Sequence, residues 1–296
     1  MAVRASQADA LDSRSLGARL RLWRHLVSKN YALQIGALIL LALAAMALLA
    51  PLIAPYGPRE LEPSNSFQSP TWSHPFGTDR LGVDILSRTI YAARLDLQIA
   101  IGATALGALI GVPIGTFFGY FGGRWDDFLM RLLEVIQSFP PLVLAMAIVA
   151  AFTQGSTVII LVIAFISIPY YIRLVRSEVL TKRNWPFAEA AEAVGNSRVR
   201  IAFAHLLPNS LTPALVYMSL NAGYALIVAA TLGFLGLGIG PGEAEWGLMV
   251  KDGSAGVIRG QWWLSFFPGL FMALAVGSFY LLGDGLRDLL DPSLRI

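Results

Sequence analysis

The residues with usable chemistry gather in one polar stretch, Phe187 to Asn209, which reads FAEAAEAVGNSRVRIAFAHLLPN. It carries Glu189, Glu192, Arg198, Arg200 and His205 between long apolar segments. That set is a poor match for catalysis. A hydrolytic site needs a nucleophile beside a base, or a group of metal ligands. The chain has no cysteine, and its three histidines, His25, His74 and His205, stand in different loops. Nor is there a phosphate loop of the form G-x-x-x-x-G-K-[ST], because none of Lys29, Lys182 and Lys251 follows a glycine. The chemistry left is recognition. The Ala- and Glu-rich run Ala188 to Val194 predicts a short helix. Gly195 can take the left-handed conformation that ends it, and Asn196 or Ser197 can cap a second helix. That second helix is expected from about Arg198 to Leu206, stopping at Leu207-Pro208. A polar elbow of this kind on an otherwise apolar chain is expected to be a docking surface facing the cytosol.

The elements that must carry it are membrane spans. Apolar residues make up 56% of the chain and charged residues 14%, against about 25% charged in soluble domains. The net charge of +3 is too small to argue for nucleic acid. Six apolar runs approach the roughly 20 residues that a bilayer requires: 31–53, 97–121, 132–152, 157–175, 210–234 and 264–283. The fourth is the weakest, interrupted by Pro169 and trimmed by Arg173 and Arg176, which can snorkel at a helix end. With residues 1–30 inside, 16 Lys and Arg fall on the inner side and 6 on the outer. The positive-inside rule therefore puts both termini and the Phe187 elbow in the cytosol. The first run is too long for the roughly 7–15-residue core of a secretory signal, so an uncleaved span is expected there. Residues 1–15 are expected to be disordered.

The spans themselves are almost free of ionisable groups. Glu134, Arg173 and Asp284 fall near inner ends, and no midplane carboxylate suggests an ion or proton relay. Outside, the segment 54–96 opens with Pro55, Pro58 and Pro63 and closes with an amphipathic pattern. Ile85, Leu86, Thr89, Ile90 and Ala93 recur opposite Asp84, Arg88 and Arg94, which predicts a helix lying at the membrane surface ahead of the second span. In the loop 235–263, Trp246, Trp262 and Trp263 suggest anchors at the outer interface.

A chain with spans, no energy source and one cytosolic elbow suggests a subunit driven by a partner. Glu189-Ala190-Ala191, three residues, Gly195, and then Leu207-Pro208 resemble the EAA loop of ABC-importer permeases, EAA-x3-G-x9-I-x-L-P. His205 stands where the general motif has Ile, and H-x-L-P-N resembles the peptide and nickel branch. Three further blocks resemble the C-type permease of dipeptide, oligopeptide and nickel importers: HPFGTDRLGVDILSR, with Val83 in place of the usual arginine; FLGLGIGPGEAEWG; and FPGL with LLGDGLRDLLDPSLR.

The resemblance covers nearly the whole chain from about residue 20 and implies an all-α integral membrane protein with six transmembrane helices and the type I ABC importer permease fold. It divides the chain into a cytosolic tail (1–30), a first span (31–53), an extracytoplasmic segment (54–96), a five-helix core (97–283) containing the coupling loop 181–209, and a cytosolic tail (284–296). Its implied partners are a second homologous permease, two ATPase subunits that bind ATP and Mg, and an extracytoplasmic binding protein. The implied coupling residues are Glu189, Ala190, Ala191, Gly195, His205, Leu207 and Pro208, with no metal or cofactor on this chain and nothing catalytic. Peptides are the default substrate. The loop 235–263 would either anchor at the interface or touch the binding protein, and Asp288 and Asp291 would mark the inner boundary or meet the ATPases. Ala103, Gly107, Gly111, Gly115 and Gly119, four residues apart, form one small-residue face. Packing within the chain is its expected use, and contact with the second permease is the alternative. A secondary carrier or a non-transporting scaffold remain the readings from other classes.

Overall fold

The computed structural model describes residues 29–240 and 242–290. The expected disorder at 1–15, most of the N-terminal tail, and Asp291, Pro292 and Arg295 of the C-terminal tail lie outside the described residues. Among those described, every regular element is helical. Helix α1 is Tyr31–Leu48, followed by the short α2, Ala50–Ile53. Then come α3 (Ile85–Phe121), α4 (Arg124–Gln137), α5 (Pro141–Ala151) and α6 (Ser156–Lys182). The elbow holds α7 (Pro186–Ala193), α8 (Arg198–Arg200) and α9 (Leu207–Ser210), and α10 (Thr212–Phe234), α11 (Trp246–Val257) and α12 (Trp263–Leu290) complete the chain. Five helices are long and apolar enough to cross a membrane, or six if the bent pair α4–α5 counts as one span.

Two of these boundaries differ from expectation, and the third span bends at its proline pair. The second span and the surface helix before it are one continuous α3 of 37 residues, roughly 55 Å long. Its supposed membrane-facing stripe is buried in protein: Ile85, Thr89, Ile90 and Ala93 lie in the interior, with Arg88 beside them. The third span is broken by 83° between α4 and α5. Pro140 and Pro141 supply no N–H donors at that point, so the helical ladder of α4 cannot continue. With 11 residues, α5 reaches roughly 16 Å, about half the hydrocarbon thickness. At the C-terminal end, α12 continues to Leu290, through the start of the expected tail.

The small-residue face of α3 packs on α6. A Cβ placed on Gly111 would lie 2.5 Å from the Cβ of Tyr171, and one on Gly115 would lie 2.6 Å from the carbonyl of Ile172. Gly107 faces Ser167, and Gly119 faces the backbone of Arg176. The ladder is therefore used within the chain, as expected. A polar tie crosses the same region: Ser167 Oγ donates to Asn221 Oδ1 at 3.1 Å, and Asn221 Nδ2 donates to Thr104 Oγ1 at 3.2 Å. This joins α3, α6 and α10 with no buried polar group of Asn221 left open.

At one end of the bundle the segment 54–84 and α11 close over the start of α3. Asp84 caps α3, accepting from Ser87 N and Ser87 Oγ at 2.7 Å each, and its other oxygen lies 3.0 Å from His74 Nδ1. Trp246 is fully buried and donates to Thr89 O at 3.1 Å; Trp263 is buried and donates to Thr78 O at 3.3 Å. Neither is an interfacial anchor; of the three loop tryptophans, Trp262 alone is exposed. Their rings fill the seam between α3, α11 and α12, because a bilayer end still needs a packed cap. Asp96 and Glu245, both fully buried, sit at the same seam. Glu245 caps α11, accepting from Gly247 N at 2.8 Å and Leu248 N at 2.6 Å, and Asp96 accepts from Trp246 N at 3.1 Å. Asp96 Oδ1, enclosed at this seam, has no hydrogen-bond partner among the described residues. Burial pushes the Glu245 carboxyl up to about 7.

Two outcomes follow. Gly115→Val places branched carbon against the Ile172 carbonyl and is expected to destabilise the bundle by about 3 kcal/mol; a melting temperature equal to wild type in detergent would contradict the backbone contact. The Glu245 carboxyl ordinarily titrates near 4.5. Between that value and about 7 the native state binds more protons than the unfolded one, so stability falls as pH rises through this window. Thermal melts from pH 5 to 8 should show that decline in wild type and a shallower one in Glu245→Gln. Parallel pH profiles would refute it.

Candidate functional site

At the opposite end of α3 the elbow is seated on the ends of three long helices. Lys182, the last residue of α6, bonds Glu178 and the carbonyl of Asn209, each at 2.7 Å, and lies 6.0 Å from the centre of the Trp185 ring. It thus clasps the two ends of the elbow together. Arg183 donates to Gly119 O at the end of α3. Arg176 holds Asp126 through two hydrogen bonds of 2.6 and 2.5 Å, fastening α4 to α6 just above the elbow. Such a forked pair fixes orientation as well as distance.

The first elbow helix starts at Pro186, whose missing N–H costs nothing at a first helical position. It ends in a complete Schellman arrangement: Gly195 N bonds Glu192 O at 2.9 Å and Asn196 N bonds Ala191 O at 3.2 Å. Gly195 has φ +85°, the left-handed value that the turn demands. Nothing lies within 4 Å of a Cβ placed there, so the constraint is backbone conformation and not crowding. Ser197, and not Asn196, caps the next helix by accepting from Arg200 N at 3.4 Å.

The second helix does not stop at Leu207-Pro208. A π-helical turn, Ile201–Leu206, leads directly into α9, and Leu207 N bonds Ala202 O five residues back. The wider turn makes room for the Pro208 ring, which would collide with a carbonyl four residues back in a tighter helix. Proline then occupies the first turn of α9, where it is tolerated.

The seven expected site residues divide between two faces. Glu189, Ala190, Gly195 and Pro208 are exposed, together with Glu192, Ala193 and Val194. Ala191 points the other way and is buried with Ala188, Ile201 and Leu206 against Val175, Val179 and Ala214. Leu207 and His205 are half-buried, and the His205 Nε2 is enclosed with no hydrogen-bond partner among the described residues. Of the expected site alanines, Ala191 is therefore turned into the bundle, whereas Ala190, like Ala193, faces outward. Two pairs escaped sequence reading, His74–Asp84 and Asp96–Glu245. Asp96 stands one residue before the expected second span, and only contact with a residue 149 positions away marks it as buried.

Residues 111–296 match the family described as binding-protein-dependent transport system inner membrane component. The chain belongs to this family. Residues 20–70 match the N-terminal transmembrane domain of oligopeptide transport permease C. The chain is 40% identical to the dipeptide transport system permease protein DppC of Alkalihalophilus pseudofirmus, over 91% of this chain and 88% of that protein. It is 38% identical to the probable D,D-dipeptide transport system permease protein DdpC of Escherichia coli, over 87% and 86%. A glutathione transport system permease protein, GsiD of Escherichia coli, is 37% identical over 92% and 90%. In fold the chain is similar to an inward-facing structure of the MetNI methionine ABC transporter, with a TM-score of 0.55 at 17% identity over 69% of this chain and 97% of that one. The protein is thus a multi-pass membrane permease subunit of a binding-protein-dependent ABC transporter, which works with ATPase and substrate-binding partners. The secondary-carrier and scaffold readings fall.

Proposed function

We propose that this permease forms half of a peptide translocation pathway and takes its driving force through the Phe187–Asn209 elbow. The observation that carries the reading is the two-sided elbow. One face is packed into the ends of α3, α6 and α10, and the other presents Glu189, Ala190, Ala193 and the Gly195 turn to solution. Small residues on that outer face allow a partner groove to approach the helix backbone, and Glu189 supplies a polar contact. The assembly has a second homologous permease, two ATPase subunits carrying ATP and Mg, and a binding protein at the far end. This chain has no ATPase site of its own. The elbow end of the bundle, which also brings Asn30 to Gly285 and Asp288, faces the cytosol, in keeping with its Lys and Arg excess. Peptide is favoured as substrate because the relatives above are dipeptide, D,D-dipeptide and glutathione permeases.

ATP-driven approach of the ATPases would draw the elbows of the two permeases together. Reversing a 1:99 balance of two conformations takes about 5.5 kcal/mol of differential interaction, so a loosened elbow should fail. In the reconstituted transporter, Gly195→Asp and Glu189→Lys are expected to reduce peptide uptake at least about tenfold, the loss of roughly 1.4 kcal/mol of coupling, while membrane insertion is unchanged. Wild-type uptake together with wild-type retention of the ATPase subunits in both variants would defeat the proposal.

A further inference from the structure

Midway along the bundle, α6, α10 and α12 bring four tyrosines to their outward faces. Tyr170 stands at the middle of α6, Tyr224 at the middle of α10, and Tyr280 just past the middle of α12. Tyr217 lies seven residues before Tyr224, two turns along the same stripe of α10. The rings lie in two neighbouring pairs. Those of Tyr170 and Tyr217 stack with 6.3 Å between centroids. A Cβ placed on Gly223 would lie 3.2 Å from the Tyr280 ring, so Tyr280 packs on α10 beside Tyr224. Tyr170 and Tyr280 are exposed, and Tyr217 and Tyr224 are half-buried. None of the four hydroxyls has a hydrogen-bond partner among the described residues. Asn221, on the next face of α10, is by contrast fully satisfied by Ser167 and Thr104.

Hydrocarbon cannot satisfy a phenol hydroxyl, and a tyrosine at mid-span is too short to reach either headgroup layer. A face that carries four of them is built for a polar neighbour and not for lipid. Its chemistry fits a peptide. Each hydroxyl both donates and accepts, so it can meet an amide N–H or C=O whatever side chain the peptide carries. The level is also free of charge: the nearest ionised groups on these faces, Arg173 and Asp284, stand about one turn nearer the elbow. Several weak, uncharged partners let a solute enter and leave, whereas a strong single site would hold it. We propose that Tyr170, Tyr217, Tyr224 and Tyr280 line the translocation pathway and hold the backbone amides of a peptide halfway across the membrane. The inference rests on the reading above that this permease carries peptides, and it assigns the side chains that touch them.

The test uses the full transporter in liposomes, with its binding protein and a mixture of labelled dipeptides. Phenylalanine keeps each ring and removes only the hydroxyl. The triple variant Tyr170→Phe, Tyr224→Phe, Tyr280→Phe is expected to lower maximal uptake at saturating binding protein about tenfold, while ATP hydrolysis stimulated by the loaded binding protein stays at the wild-type rate. A second arm reads water access directly. The chain has no cysteine, so Tyr224→Cys is a single reactive site on this subunit, and a charged methanethiosulfonate reagent is expected to modify it. Leu38→Cys, on the exposed face of α1, is expected to stay unmodified. Wild-type uptake in the triple variant would overturn the inference. So would a Tyr224→Cys that reacts no faster than Leu38→Cys, which would set this face against lipid or the second permease. A parallel loss of stimulated ATP hydrolysis would overturn it too, because the hydroxyls would then serve coupling and not the peptide. A wild type that takes up none of the dipeptides defeats the peptide reading above and this inference with it, whereas full uptake by the triple variant defeats this inference alone.

Discussion

The bundle depends on the approach of α3 to α6 at backbone distance. In a bilayer the hydrophobic effect does not press helices together, because lipid tails are as apolar as the side chains. Association rests on van der Waals contact and on polar ties, and both need the backbones close. Gly111, Gly115 and Gly119 leave α6 nothing to clear but hydrogen atoms, so the carbonyls of Ile172 and Arg176 lie directly on α3. The Asn221 tie to Ser167 and Thr104 is within reach only because that approach has already been made. Once α3 and α6 are locked, their ends are fixed too. One end carries the elbow and the other the cap of Asp84, Trp246 and Glu245.

The same rule of small residues facing large ones explains the sequence blocks at the cap. Gly233 leaves the space that the Glu245 carboxyl fills, and Gly247 leaves the space for the Ala230 backbone. The run FLGLGIGPGEAEWG is therefore a packing solution for one buried acid and one buried tryptophan, and HPFGTDRLGVD is a helix cap built around Asp84. Val83, where the family pattern has arginine, is itself buried in that cap.

Much of this was legible from residue order. The spans follow from apolar runs long enough for a bilayer, and the elbow from charges and a glycine placed where a helix must end. The Schellman turn at Gly195 and the intrachain use of the glycine ladder are local consequences of spacing. What could not be read depends on contacts between distant residues. The stripe from Ile85 to Ala93 has the same periodicity whether it meets lipid or Trp246, so the surface-helix expectation failed on the identity of its partner. The Asp96–Glu245 pair has no local signature at all. Pro208 misled for a different reason: it forbids a regular turn before it, but a π-helical turn satisfies the same prohibition without ending the helix.

The division of the elbow into two faces bears on whether so small an element can carry a load. A fully buried Leu or Ile contributes about 1.5–3 kcal/mol relative to exposure. Ile201 and Leu206 are both essentially inaccessible, and Ala188 and Ala191 add smaller shares. Their sum, about 5 kcal/mol, is comparable with the roughly 5.5 kcal/mol needed to reverse a two-state balance. The Lys182 clasp adds to this where a pull would otherwise peel α7 from the bundle. The inward turn of Ala191 adds to this seating, while Ala190 and Ala193 remain at the surface of the elbow.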